Sequence, residues 1–256
     1  VAQVITAYFL GMAIAPIPYG AISDRWGRKP VLWLSLSVYV VGAVLSALAP
    51  SFTLLLVGRF IWGVGAAGGR VVAFAILRDT HDGDRMARMM SFIMAVFIVV
   101  PVLAPSIGAL IIRVAPWQAT FWLSAVAGIA LLAWSSRLGE TLAPANRRTD
   151  LFATVPSTAR RMATDPTIAA PVLALTAVMT VMSTYLASSE LIIADLFGWG
   201  DRFPIIFGAV AAVFGAAALI NGRLLDRMGI GAVIGPAAGV YLVAGQRPGR
   251  RRRPVR

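Results

Sequence analysis

The chain has 256 residues, is 59% hydrophobic and 13% charged, and carries a formal net charge of +12. Soluble domains are roughly 45–50% apolar and about 25% charged, so the composition excludes an ordinary water-soluble enzyme and indicates an all-α integral membrane protein. With no Cys and one His, His81, a metal site of the zinc type, which takes about three or four N or S ligands, is not expected, and nothing calls for a cofactor.

The apolar residues fall into eight blocks: 1–22, 31–49, 52–77, 89–112, 117–136, 169–189, 203–222 and 230–245. Each is near the ~20 residues that cross about 30 Å of hydrocarbon at about 1.5 Å per residue. Between the first two blocks, residues 20–32 read GAISDRWGRKPVL. This stretch reads as a short loop. Gly20 is expected to let two helices approach closely. Asp24 is expected to accept hydrogen bonds from helix N-terminal amides. Arg25, Arg28 and Lys29, beside Gly27, hold the loop on the cytoplasmic side and are placed to pair with acids across a gate. A plain positive-inside anchor is the other reading.

The third block holds Arg59 and, eleven residues on, Arg70. A charge at membrane depth is costly and faces the protein interior or a wet cavity. Eleven residues are about 1100° of helix, about 20° from the same face, and about 16 Å along the axis. Gly63 and Ala66 lie on that face, so both cations are expected to look into one cavity. Arg70 could equally snorkel to the cytoplasm. The run Gly63-Val-Gly65-Ala-Ala-Gly68 matches a dinucleotide-loop pattern, but it sits inside a span with no preceding strand, so close helix packing is expected. A P-loop is excluded, because the only Lys is Lys29 and Pro30 follows it.

The fourth block contains PVLAPSIGA, with Pro101, Pro105 and Gly108 inside a span. Proline removes a helix hydrogen bond, so a bend is expected there. After the fifth block comes a polar interval, 137–168, read as a cytoplasmic linker. It separates a first helical half, 1–136, from a partial second half, 169–245. The halves echo each other. Gly20-Ala-Ile-Ser-Asp24-Arg25-Trp-Gly27 matches Gly222-Arg-Leu-Leu-Asp226-Arg227-Met-Gly229, and both follow an apolar block. Repeats in the same orientation are a plan used by transporters.

Assigning loops alternately to two sides places 13 Lys and Arg on one side and 2 on the other. That split puts the 20–30 loop in the cytoplasm and residue 1 outside. The charge thus serves topology, and no nucleic-acid partner is expected. A chain that opens with Val1 inside an apolar block on the outer side implies a preceding helix. The tail, 246–256, carries six Arg on the side that should be poor in charge. It reads as an aberrant end, or alternatively as a basic tail for lipid or nucleic acid. None of the eleven acids lies deep in a block, so a transporter driven by protons would need its proton-carrying acid from a helix outside this sequence.

The 20–30 loop, its echo at 222–229, and the runs Arg78-Asp79, Arg88-Met89-Met90-Ser91, Ala104-Pro105-x-x-Gly108 and Glu140-Thr141-Leu142 resemble the major facilitator superfamily. They are similar in particular to its Bcr/CflA (bicyclomycin/chloramphenicol resistance) branch of drug:proton antiporters. The resemblance covers almost all of 1–240 and implies about eight of twelve transmembrane helices. It implies a monomeric multi-pass protein of the bacterial cytoplasmic membrane that exports small drug-like molecules in exchange for protons by alternating access. It makes the 20–30 loop a gating latch, Arg59 the proton-coupling arginine, and Pro101, Pro105 and Gly108 the antiporter-type kink. Here Ala104 and Ala109 stand where the antiporter motif has Gly. Tyr8, Phe9, Met12, Trp62, Phe97 and Met179 suit a loose apolar cavity. A sugar or organic-anion transporter, or a remnant that transports nothing, are the alternatives.

Overall fold

A computed structural model describes residues 2–147, 160–161, 163–199, 205–210, 212–213 and 216–217. The described residues are helical with no strand. Among the described residues, seven α-helices have defined bounds, in order: α1 (Ala2–Ile14), α2 (Pro16–Trp26), α3 (Arg28–Ala47), α4 (Phe52–Thr80), α5 (Gly83–Val114), α6 (Gln118–Ser135) and α7 (Pro166–Leu191). A 3-10 turn, Pro144–Asn146, lies between α6 and α7. A π-helical turn, Ile192–Leu196, follows α7.

Four stretches among the described residues are long and apolar enough to cross a membrane: Gln3–Trp26, Arg28–Ala47, Phe52–Thr80 and Gln118–Ser135. They correspond to the first, second, third and fifth apolar blocks. α5 and α7 cover the fourth and sixth. Half of 203–222 and all of 230–256 lie outside the described residues, as do residues 148–159 and 162 of the 137–168 interval.

The first block is two helices, not one. Pro16 and Pro18 lack the N–H that would continue the ladder, so α1 ends at Ile14 and α2 restarts with Pro16 in its first turn. Ala15 stays helical (φ −70°, ψ −25°), and the axis carries on across the break. The 20–32 stretch is not a loop. α2 runs on to Trp26 and α3 begins at Arg28, leaving Gly27 as the whole connection. Its φ of +104° is open to glycine and closed to most L-residues.

α4 is the hub. α3 and α1 lie along it, and α6 lies against α3. Contact is close because α4 is rich in small residues. A Cβ on Gly63 would strike the Tyr8 carbonyl of α1, and one on Gly65 would strike the Tyr39 backbone of α3. The glycine run is therefore a packing surface, as its position inside a span implied. The tightest core joins α2, α3 and α4 through Ala15, Tyr19, Val31, Leu32, Ala67 and Val72. Three buried hydroxyls satisfy themselves locally, Ser23 on Gly20 O, Ser35 on Leu32 O and Ser46 on Gly42 O.

Candidate functional site

Arg28, the first residue of α3, is 5% exposed. A buried guanidinium needs partners for its charge and its donors. It has both. Nη1 donates to Asp24 Oδ1 at 2.6 Å and to Ser23 Oγ at 2.8 Å, and Nε donates to Asp79 Oδ2 at 2.7 Å. Asp24 and Ser23 belong to the last turns of α2, and Asp79 to the last turn of α4. One side chain thus joins the ends of two helices to the start of a third.

The backbone of the same residue holds a fourth element. The Arg28 N–H donates to Glu140 Oε1 at 2.8 Å, and the Lys29 N–H to Glu140 Oε2 at 3.2 Å. Glu140 also accepts the Leu142 N–H at 3.0 Å. Lys29 Nζ donates to the Ser136 carbonyl at 2.9 Å and lies over the Trp33 ring. Partial burial alone would raise the Glu140 carboxyl. The backbone N–H groups of Leu142, Arg28, Lys29 and Thr141 outweigh that and hold it below the ordinary carboxylate value.

This geometry corrects several expectations. Among the described residues, Asp24 caps no helix. Its Oδ1 takes the Arg28 guanidinium, and the amide-capping carboxylate is Glu140. Among the described residues, Arg28 and Lys29 are engaged by Ser23, Asp24, Asp79, Ser136 and Glu140. Gly20 makes no close approach among the described residues, for a Cβ there would meet nothing within 4 Å. What it supplies is the carbonyl that accepts from Ser23. Arg25 is exposed at the end of α2. Gly222, Asp226 and Arg227 lie outside the described residues.

Arg59 sits on α4, away from this cluster. Its Nε donates to the Val4 carbonyl of α1 at 3.2 Å. Its guanidinium carbon lies 5.1 Å from the Tyr8 ring centroid, 5.0 Å from Trp62 and 5.7 Å from Phe121. Trp62 is the centre of these rings, with Tyr8, Tyr39 and Phe121 all within 5.7 Å of it. The cation is held by ring faces, and no carboxylate pairs with it among the described residues. Arginine stays charged at any working pH, so Arg59 is a fixed positive charge with no anion beside it among the described residues. The Trp62 indole N–H is buried without an acceptor among the described residues.

Arg70 faces a different space. It lines a cavity of about 600 Å³ with Leu36 and Tyr39 of α3, Ala66 and Ala73 of α4, and Trp134 of α6. Neither Arg59 nor Gly63 lines it. This cavity is therefore not one that Arg59 and Arg70 share. Gly63 is taken up by contact with α1, and Arg59 is drawn into the rings of α1, α4 and α6. Pro101, Pro105 and Gly108 lie within α5, which is helical throughout Gly83–Val114. Of the aromatic and Met candidates, Tyr8 and Trp62 meet at Arg59, and Met12 packs on the core. Phe9 is on the surface. No side-chain placement is described for Phe97 or Met179.

Sequence reasoning gave Asp79, Glu140 and Phe121 no site role. Asp79 and Glu140 could be noticed as acids bordering apolar blocks. Their partnership with Arg28 is 51 and 112 residues long in sequence and leaves no local pattern.

The model of the Major Facilitator Superfamily matches residues 1–246. The multidrug resistance protein MdtL of Shigella dysenteriae serotype 1 (strain Sd197) is 43% identical over 140 residues, which is 55% of this chain and 36% of that protein. MdtL of Escherichia coli O139:H28 (strain E24377A / ETEC) is 43% identical over 141 residues, with the same coverage. The chain thus spans little more than a third of the length of these relatives. Among solved structures, the human organic anion transporter MFSD10 (TETRAN) superposes with a TM-score of 0.52 at 24% identity, over 59% of this chain and 34% of that one. This last likeness speaks for the fold alone.

Proposed function

The chain belongs to the Major Facilitator Superfamily, whose members are multi-pass membrane transporters of small molecules and not a class of enzymes, and on that premise we propose that the protein exports drugs in exchange for protons by alternating access. The observation that carries this reading is the 43% identity to multidrug resistance proteins over 140 residues. The Bcr/CflA branch, the bacterial cytoplasmic membrane and a monomeric state belong to the same proposal. So does the division into halves at 1–136 and 169–245 joined by 137–168.

In this reading the residues around Gly20, Asp24, Arg25, Gly27, Arg28 and Lys29 form a cytoplasmic latch. Gly222, Asp226 and Arg227 form its counterpart in the second half. Arg59 supplies the fixed charge against which a protonatable acid titrates. Arg70 borders the substrate cavity, and Pro101, Pro105 and Gly108 shape α5. The test is drug-driven proton movement in everted vesicles containing the whole protein. Adding a transported drug should collapse a preset pH gradient, and Arg59→Gln should abolish the effect. A protein that neither lowers drug accumulation nor moves protons would sink the proposal.

Two observations favour a second reading. Arg59 has no carboxylate partner among the described residues and Arg70 borders an apolar cavity, which suits an organic anion. Competition of a labelled organic anion against a cationic dye separates the two.

A further inference from the structure

α3 starts under electrostatic conditions that disfavour a helix. Its first two residues are Arg28 and Lys29, it has no acid in the first turn, and its cap residue, Gly27, offers no side chain. The N-terminus of a helix carries partial positive charge and unsatisfied N–H groups. Two cations there add repulsion. Something outside the helix must supply an anion and acceptors.

Glu140 does so. Its two oxygens take the N–H groups of Arg28 and Lys29, and Oε1 also takes that of Leu142. The approach is close enough that a Cβ on Gly27 would collide with Oε2. Leu142, two residues on, is buried at 7% exposure and fixes the segment. Lys29 Nζ reaches the Ser136 carbonyl from the other direction. The stretch just after α6 is thereby tied to the start of α3 by three residues.

We propose that Glu140 is the positioning residue of the latch. It fixes the backbone of Arg28 so that the guanidinium of the same residue stands between Asp24 and Asp79. The carboxylate lies at the head of the interval that leads toward α7. The functional part of this proposal rests on the transport reading. Its structural part does not.

The experiment uses the whole protein in lipid nanodiscs and proteoliposomes. Glu140→Gln removes the charge and leaves one acceptor oxygen, and Glu140→Ala removes both. Loss of charge-assisted hydrogen bonds should speed amide exchange at Arg28 and Lys29 by about tenfold in Glu140→Gln and by more in Glu140→Ala. Turnover should fall with KM unchanged, and Glu140→Gln should keep part of the turnover that Glu140→Ala loses. Unchanged exchange overturns the proposal. Faster exchange with unchanged turnover reduces Glu140 to a cap and overturns the positioning role. If Glu140→Ala does not fold, Glu140→Gln carries both readouts. A wild-type protein that transports nothing fails the transport reading, and the exchange measurement still decides whether Glu140 holds α3.

Discussion

Arg28 donates from Nε to Asp79 Oδ2 at 2.7 Å while the same guanidinium holds Asp24. Asp79 thereby makes the end of α4 a fixed point for the start of α3. The pair is mostly out of solvent, with side-chain exposures of 6% and 21%. Removing one member of such a pair strands the other.

Arg28→Ala is accordingly expected to destabilise the protein by about 3–5 kcal/mol, the range for breaking a buried ion pair. Adding Asp79→Ala should cost less than the sum of the two single changes, because the stranded carboxylate is removed as well. Thermal unfolding in detergent of both single variants and the double variant measures this. Additive losses would show that the two residues act independently.

Arg59→Lys retains the charge but not the planar, weakly hydrated group that lies against three rings. The expected result is loss of most drug-driven proton movement with little loss of fold. Trp62→Leu removes the ring nearest the cation and should destabilise by about 1–2 kcal/mol beyond its apolar area. The proton flux assay and a melting curve read the two effects. Full activity in Arg59→Lys would reduce the residue to a charge of any shape.

Gly63→Leu places a side chain against the backbone of α1. Overpacking of this kind costs about 1–3 kcal/mol and sometimes more. Gly108→Leu serves as the control, since a Cβ there meets nothing within 4 Å among the described residues. Yield of folded protein by size-exclusion chromatography distinguishes them, and equal yields would remove the close α1–α4 contact from consideration.

The Glu140 cap carries a pH signature. Its folded carboxyl titrates below the ordinary 4.5. The stabilisation is therefore present above the unfolded value and is lost as pH falls through the folded one. Melting temperature should drop on acidification from about pH 6 to about pH 3, and the drop should be smaller in Glu140→Gln. Identical acid profiles would mean that the carboxylate does not stay charged against α3.

The membrane class and helices α3 to α6 are legible in the sequence, because runs of apolar residues near a membrane thickness leave few other solutions. The end of α2 is not. A charged stretch reads as a loop, yet Asp24 and Arg25 are helical, because one glycine suffices for the turn and Arg28 neutralises the acid. The facing of Arg59 and Arg70 shows a second limit. Periodicity gives the angle between two residues on a helix, but not which neighbour covers each level. α1 and α6 bring rings to Arg59, while α3 and α6 leave a cavity beside Arg70. Glu140 shows a third. A carboxylate that accepts main-chain amides has no partner identity to read, since every residue carries the same N–H.

The single-residue connection at Gly27 ties the rotational phase of α3 to that of α2. Each helical residue turns the chain by about 100°. Inserting one residue there would swing the Val31 and Ser35 side of α3 away from α4 and carry Arg28 out of reach of Asp79. The joint tolerates neither extra length nor a substitute at its centre. Whatever tilts α2 must tilt α3 with it, as two arms of one angle.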